Sequence, residues 1–152
     1  MKIVEFLQPA AVVDDLTGTT APAVLAELAR PLAAASKIDA QRLIDTLVER
    51  EKLGSTGIGD GVAIPHGKVP GLPMIMASFG RSKQGVEFNA IDGKPSYLFF
   101  ALFAPENSAG AHLKALARIS RIFKNPAFRE SIMKAKDAAE MYRLIETEDA
   151  KY

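Results

Sequence analysis

The sequence contains no cysteine. That absence excludes a disulfide scaffold, a thiolate nucleophile and any cysteine-ligated metal centre, and it is compatible with a reducing compartment. No stretch approaches the ~18 consecutive apolar residues of a membrane-spanning helix, so no membrane insertion is expected. The opening "MKIVEFLQPAAVVDDL" has one lysine, an early glutamate and no apolar core, unlike a secretory signal. An excess of charge is missing too: 19 basic against 18 acidic residues leave a net charge of +1. Non-specific nucleic-acid binding needs a concentrated basic face. The basic residues that gather between Lys114 and Arg129 are spaced as the wet side of a helix instead, so no nucleic-acid partner is expected. Internal repeats, low-complexity tracts and a dividing linker are also absent. What is present is a chain of 152 residues, 48% hydrophobic and 24% charged. That is the profile of one soluble, cytoplasmic domain over residues 1–152 with a core of its own.

Along the chain, a polar turn precedes an alanine- and leucine-rich helix from about Pro22. Proline suits a first helical turn, whereas Pro31 should kink or interrupt that helix. Asp39 is placed as the N-cap of a second helix, "AQRLIDTLVEREKL", with Leu43, Leu47 and Val48 as its apolar stripe and Gly54 as its stop. The period then changes. "GVAIPH", "MIMASFGRS", "GVEFN" and "SYLFFALFA" are short, apolar and punctuated by glycine or proline, which predicts strands. The Tyr97–Ala104 run is apolar on both alternations, as a central strand covered on two faces must be. Three helices follow, over Ala111–Phe123, Ala127–Lys134 and Ala138 to about Glu146, with Asn125-Pro126 and Asp137 marking starts. Helices before and after the strands predict an α/β sandwich, a mixed central sheet flanked by helices on both faces.

The stretch "GIGDGVAIPHGK", residues 57 to 68, carries the chemistry. A dinucleotide-binding fingerprint must follow a strand and open a helix. Here a helix ends at about Leu53 and a strand begins near Val62, and no Lys-Ser/Thr follows a spaced glycine. The glycines are therefore a tight turn at positive φ. His66, one of only two histidines, is held between Pro65, which stops the strand from simply continuing, and Gly67, which leaves one side of the imidazole uncrowded. Lys68 adds positive charge two residues on. The second, His112, lies in the first turn of a helix and shares an inward face with Leu116, Ile119 and Phe123. The helix macrodipole there favours a neutral imidazole and a nearby anion. Two imidazoles with no cysteine leave the rest of a zinc site to carboxylates, Asp60 being nearest in sequence, and no metal is assigned. No Gly-x-Ser-x-Gly elbow supports a hydrolase; Ser55 and Thr56 are turn residues or hydroxyls for a phosphate. Arg50 closes its helix just before the turn, where it either complements the helix dipole or clamps phosphate oxygens.

Taken together, "GSTGIGDGVAIPHGK", "FNAIDGKP" and "LFFALFAPENSAGAHLKALARISRIF" closely resemble the enzyme IIA domains of the bacterial phosphotransferase system, within them most the nitrogen-type, fructose/mannitol-class members. The resemblance runs from about Val4 to Glu146 and implies an α/β sandwich around a mixed sheet. It also implies that His66 receives a phosphoryl group from a histidine-containing phosphocarrier protein, that His112 stabilises the phosphate, and that Arg50 clamps it. Such transfer needs a neutral attacking nitrogen and donors for the equatorial oxygens, with no metal and no other cofactor; which imidazole nitrogen attacks is left open. Onward partners are regulated target proteins or a transporter component. No transporter or sugar-site domain accompanies these residues, which favours the regulatory, nitrogen-type role over a sugar-specific one. Met74, Met76 and Phe79 are assigned to core packing ahead of a partner surface. Pro31 and "GLPMIM" are local departures from the family's pattern and bear on partner contacts.

Overall fold

The computed structural model describes all 152 residues. A short 3₁₀ turn at Ile3–Glu5 leads into β1 (Leu7–Val13), followed by two helices, α1 (Ala21–Ser36) and α2 (Ala40–Lys52). Strands β2 (Gly57–Gly59), β3 (Val62–Ala63), β4 (His66–Val69), β5 (Met76–Val86) and β6 (Ser96–Pro105) come next, then α3 (Ala109–Phe123), α4 (Pro126–Lys134) and α5 (Ala138–Asp149). The sheet runs β1-β5-β6-β3-β2, with β4 also beside β6. It is mixed: β1 is parallel to β5, β5 antiparallel to β6, and β3 and β4 parallel to β6.

Helices cover both faces, as expected. The Ser78 hydroxyl of β5 donates to the Leu28 carbonyl of α1 at 2.7 Å. Its neighbour Phe79 points the other way and stacks on Phe123 of α3, their centroids 5.6 Å apart. Phe100 and Phe128 complete this aromatic cluster. The central strand is β6, with Leu98 through Ala104 all buried. Thr20, Asn125 and Asp137 cap α1, α4 and α5 with their side chains.

Three expectations are corrected, and that for Asp39 is refined. Pro31 does not interrupt α1, which runs through it. A mid-helix proline costs about 3 kcal/mol, and two flanking leucines at ~1.5–3 kcal/mol each offset that; Leu28 and Leu32 are buried on either side. Asp39 stands at the N-cap of α2, but only its carbonyl caps, accepting from Arg42 and Leu43 N–H at 3.1 and 3.3 Å. "GVEFN" is not a separate strand: Gly85 and Val86 end β5, and the Phe88 carbonyl leaves the ladder to accept from Ser55 Oγ at 2.5 Å. Finally β1, which carries Pro9 and has no counterpart among the expected strands, forms the sheet edge, where a missing N–H is tolerated.

Candidate functional site

β3 and β4 keep one register along β6: Val62 lies beside Leu98, Ala63 beside Phe99 and His66 beside Leu102. They are one strand interrupted at Ile64-Pro65. Proline has no N–H for the ladder, yet its carbonyl still accepts from Leu102 N–H at 2.9 Å. The strand therefore pauses at Pro65 and resumes at His66. The glycine-rich stretch before it is a hairpin whose central Asp60 and Gly61 have φ of 56° and 76°. Asp-Gly with both residues at positive φ matches the twist that a two-residue hairpin needs.

Successive strand residues face opposite sides. Gly67 faces α2, and a Cβ there would lie 2.5 Å from Thr46 Cγ2. Its missing side chain thus admits the helix, not the imidazole. His66 and Lys68 face the opposite side, where α3 begins. That helix starts two residues earlier than expected and places His112 in its first turn, its N–H bonded to the Ser108 carbonyl at 2.9 Å. The Ser108 hydroxyl turns back to the Pro105 carbonyl at 2.7 Å and does not cap the helix. The positive end of the macrodipole is left open beside the histidines. Ile119 and Phe123 of the expected inward face are buried and Leu116 half-buried.

The two imidazoles meet edge to face, centroids 5.4 Å apart and planes at 75°. His112 is only 7% exposed, and its Nε2 is buried without a hydrogen-bond partner. His66 Nδ1 lies 2.7 Å from the Ile64 carbonyl oxygen. A carbonyl can only accept, so Nδ1 carries the proton, and the neutral ring presents a free lone pair at Nε2. Burial pushes His66 below the ordinary imidazole range; the Ile64 bond opposes this, Arg50 reinforces it, and Glu51 opposes it. His112 is lowered by burial, then by His66 and Lys68. Both shifts favour the neutral ring, which is the nucleophilic form.

A cleft of 960 Å³ opens over His66, His112 and Arg50. Arg50 in the last turn of α2 spends Nη1 on the Gly54 carbonyl at 2.8 Å while still lining the cleft, so its helix-end and cleft-facing readings coexist. Arg42 and Thr46, eight and four residues before Arg50, also line the cleft; the helical spacing that puts all three on one face is the signal that marks them in the sequence. Leu53, 85% exposed, stands at the mouth, and Leu113, 68% exposed, follows His112.

Other residues lie elsewhere. The hydroxyls of Ser55 and Thr56 are spent on the Phe88 carbonyl and on Glu51 Oε1, the latter at 2.7 Å, so both act within the turn. Phe79 is fully buried, Met76 half-buried against the core and Met74 exposed, and none of them lines the cleft. Asp60 sits in the hairpin turn with its N–H on Asp92 Oδ2 at 3.1 Å. No three His, Asp or Glu side chains converge to hold a metal ion. Of the basic run, Lys114, Arg121 and Lys124 are exposed, whereas Arg118 pairs with Asp149.

Comparison with known proteins places the chain in a family. The chain is 37% identical over 145 residues to a nitrogen regulatory protein of Bradyrhizobium diazoefficiens, covering 95% of each. It is 33% identical over 150 residues to the fructose-specific EIIABC component of Bacillus subtilis, covering 98% of this chain and 24% of that protein. The crystal structure of the nitrogen regulatory protein IIA-Ntr from Neisseria meningitidis superposes with a TM-score of 0.89 at 36% identity, over 94% of this chain and 98% of that one. Residues 5–148 match the family described as phosphoenolpyruvate-dependent sugar phosphotransferase system, EIIA 2, and the chain belongs to that family.

Proposed function

We propose that this protein carries a phosphoryl group on His66, accepted from a histidine-containing phosphocarrier protein in a nitrogen-type relay. The observation that carries the reading is the bond from His66 Nδ1 to the Ile64 carbonyl, because it leaves Nε2 as the attacking atom. In the step, the Nε2 lone pair forms a new P–N bond in line with the donor's P–N bond. That bond breaks, and its electron pair returns to the donor's ring nitrogen. The His66 ring gains positive charge as it reacts, and the Ile64 carbonyl facing Nδ1–H stabilises it. His112, with Nε2 buried and unpartnered, donates to a phosphoryl oxygen. Arg50 and Lys68 balance the negative charge, helped by the open end of α3. No metal enters the scheme.

Incubation with phosphoenolpyruvate, enzyme I and the phosphocarrier, followed by intact-mass measurement, tests it. One phosphate should be gained at alkaline pH, lost after brief acid, and never appear in His66→Ala. No gain from a donor of verified competence would contradict the reading. The 33% identity to a fructose-specific component supports a second reading, a sugar-specific carrier. Supplying a sugar-transporter acceptor component separates the two: prompt loss of the label to it favours the second, retention the first.

A further inference from the structure

Glu51 lies in the last turn of α2 and is half-buried. None of the four salt bridges includes it. Instead both carboxylate oxygens grip one residue of the following turn: Oε2 accepts the Thr56 N–H at 2.9 Å and Oε1 the Thr56 hydroxyl at 2.7 Å. A side chain that could pair with a cation and is committed twice to one small residue is holding that residue in place, by its backbone N–H and by its side chain.

Thr56 is 5% exposed, and its carbonyl accepts the Ile64 N–H at 3.0 Å, the rung that closes the hairpin just beyond the Gly57–Ala63 pair. Past that rung β2 no longer runs alongside, so the Ile64 carbonyl lies beyond the hairpin ladder. It accepts from His66 Nδ1 at 2.7 Å instead. Three links therefore run from Glu51 through Thr56 and Ile64 to the ring whose free nitrogen is the nucleophile.

We propose that Glu51 is a positioning residue for phosphoryl acceptance: acting through Thr56 and Ile64, it holds the His66 ring in the tautomer that exposes Nε2. The proposal rests on the reading of His66 as the phosphoryl acceptor. Glu51 is not a base in the reaction, since both its oxygens are engaged on Thr56. The turn has other clamps that do not pass through Glu51. Arg50 holds the Gly54 carbonyl, and Ser55 Oγ both donates to Phe88 and accepts from Gly57 N–H. Loss of the Glu51 carboxylate should accordingly loosen the His66 end of the chain of bonds while the turn itself persists.

The test is NMR of ¹⁵N-histidine-labelled protein at mildly alkaline pH, where ring-nitrogen shifts separate Nδ1–H from Nε2–H, combined with labelling rates. Wild type should show His66 as the Nδ1–H tautomer alone. In Glu51→Ala the Nε2–H form should appear, and phosphoryl acceptance should slow by about tenfold, the scale of one lost hydrogen bond to a charged group. Glu51→Gln can still accept from the Thr56 N–H and can donate to its hydroxyl. It should keep the single tautomer, while the titration midpoint of His66 moves down, because the carboxylate that favours the imidazolium is gone. The other groups around His66, the cations Arg50 and Lys68 and the titratable ring of His112, are unchanged in that variant.

A pure Nδ1–H tautomer in Glu51→Ala overturns the proposal, whatever the labelling rate. Should that variant lose its amide dispersion, Thr56→Val, which exchanges the hydroxyl for a methyl and so breaks one of the two bonds to Glu51, carries the test, and a smaller but detectable share of the Nε2–H tautomer is the required result. Failure of wild type to label would overturn the acceptor reading and leave the tautomer comparison standing on its own.

Discussion

Where the two ends of the chain meet, Asp149 is buried and every part of its carboxylate is employed. Oδ2 accepts from Ile3 N–H at 2.6 Å and Val4 N–H at 3.4 Å, and Oδ1 from Arg118 Nε at 2.6 Å. The cleft treats its polar groups in the opposite way. His66 bonds through one ring nitrogen only, and His112 Nε2 is buried with none. A buried polar atom without a partner costs about 1–3 kcal/mol, a cost the Asp149 junction avoids and the cleft sustains. The first arrangement serves stability. The second leaves two imidazole nitrogens free for a ligand that brings its own donors and acceptors.

This contrast can be broken from either side. The largest effect is expected at the junction. Asp149→Ala should lower stability by about 3 kcal/mol, the usual result of removing one member of a buried ion pair. Below its melting transition this variant should still label at the wild-type rate, as denaturant titration and mass measurement would show. Equal damage to labelling would mean that the two regions are coupled. At the cleft the pattern reverses. His112→Ala should accept phosphate roughly tenfold more slowly and lose it sooner, because one donor to a charged group is missing. Its stability should hold or rise, since an unsatisfied buried nitrogen is removed; a marked loss of stability would reveal a structural role.

The smallest effect is in pH. His66 and His112 both titrate below the ordinary imidazole value of ~6.5, chiefly through burial. Lowered pKa values mean that the neutral, reactive rings persist on acidification past the point where a free histidine protonates. Labelling measured against pH should be flat through neutrality and decline only on the acid side. A decline already under way at neutral pH would show that the rings are not held neutral.

Legibility in the sequence followed the range of the interactions. His66, His112 and Arg50 sit in short motifs whose local geometry is set by proline, glycine and helix ends, and the structure brings all three to one cleft. Strand β6 was plain because it is apolar on both faces. The role of Glu51 was hidden, because it depends on a hairpin bringing Ile64 back to Thr56. Asp149 was more deeply hidden: its partner Ile3 is 146 residues away, and nothing near either residue signals the meeting. Strand β1 is not legible in the sequence, because Pro9 argues against a strand anywhere except at a sheet edge, and edge position is a property of the whole topology. "GVEFN" misled for a related reason: Phe88 is buried, as a strand residue would be, but its carbonyl is held by the Ser55 hydroxyl.

In the proposed transfer one atom, His66 Nε2, forms the new bond. Protein labelled with ¹⁵N at histidine, phosphorylated and held at alkaline pH, would show which ring nitrogen carries the group through its coupling to ³¹P. Coupling to Nε2 of His66, with Nδ1 still protonated toward Ile64, is the predicted result. Coupling to Nδ1, or to either nitrogen of His112, would contradict it.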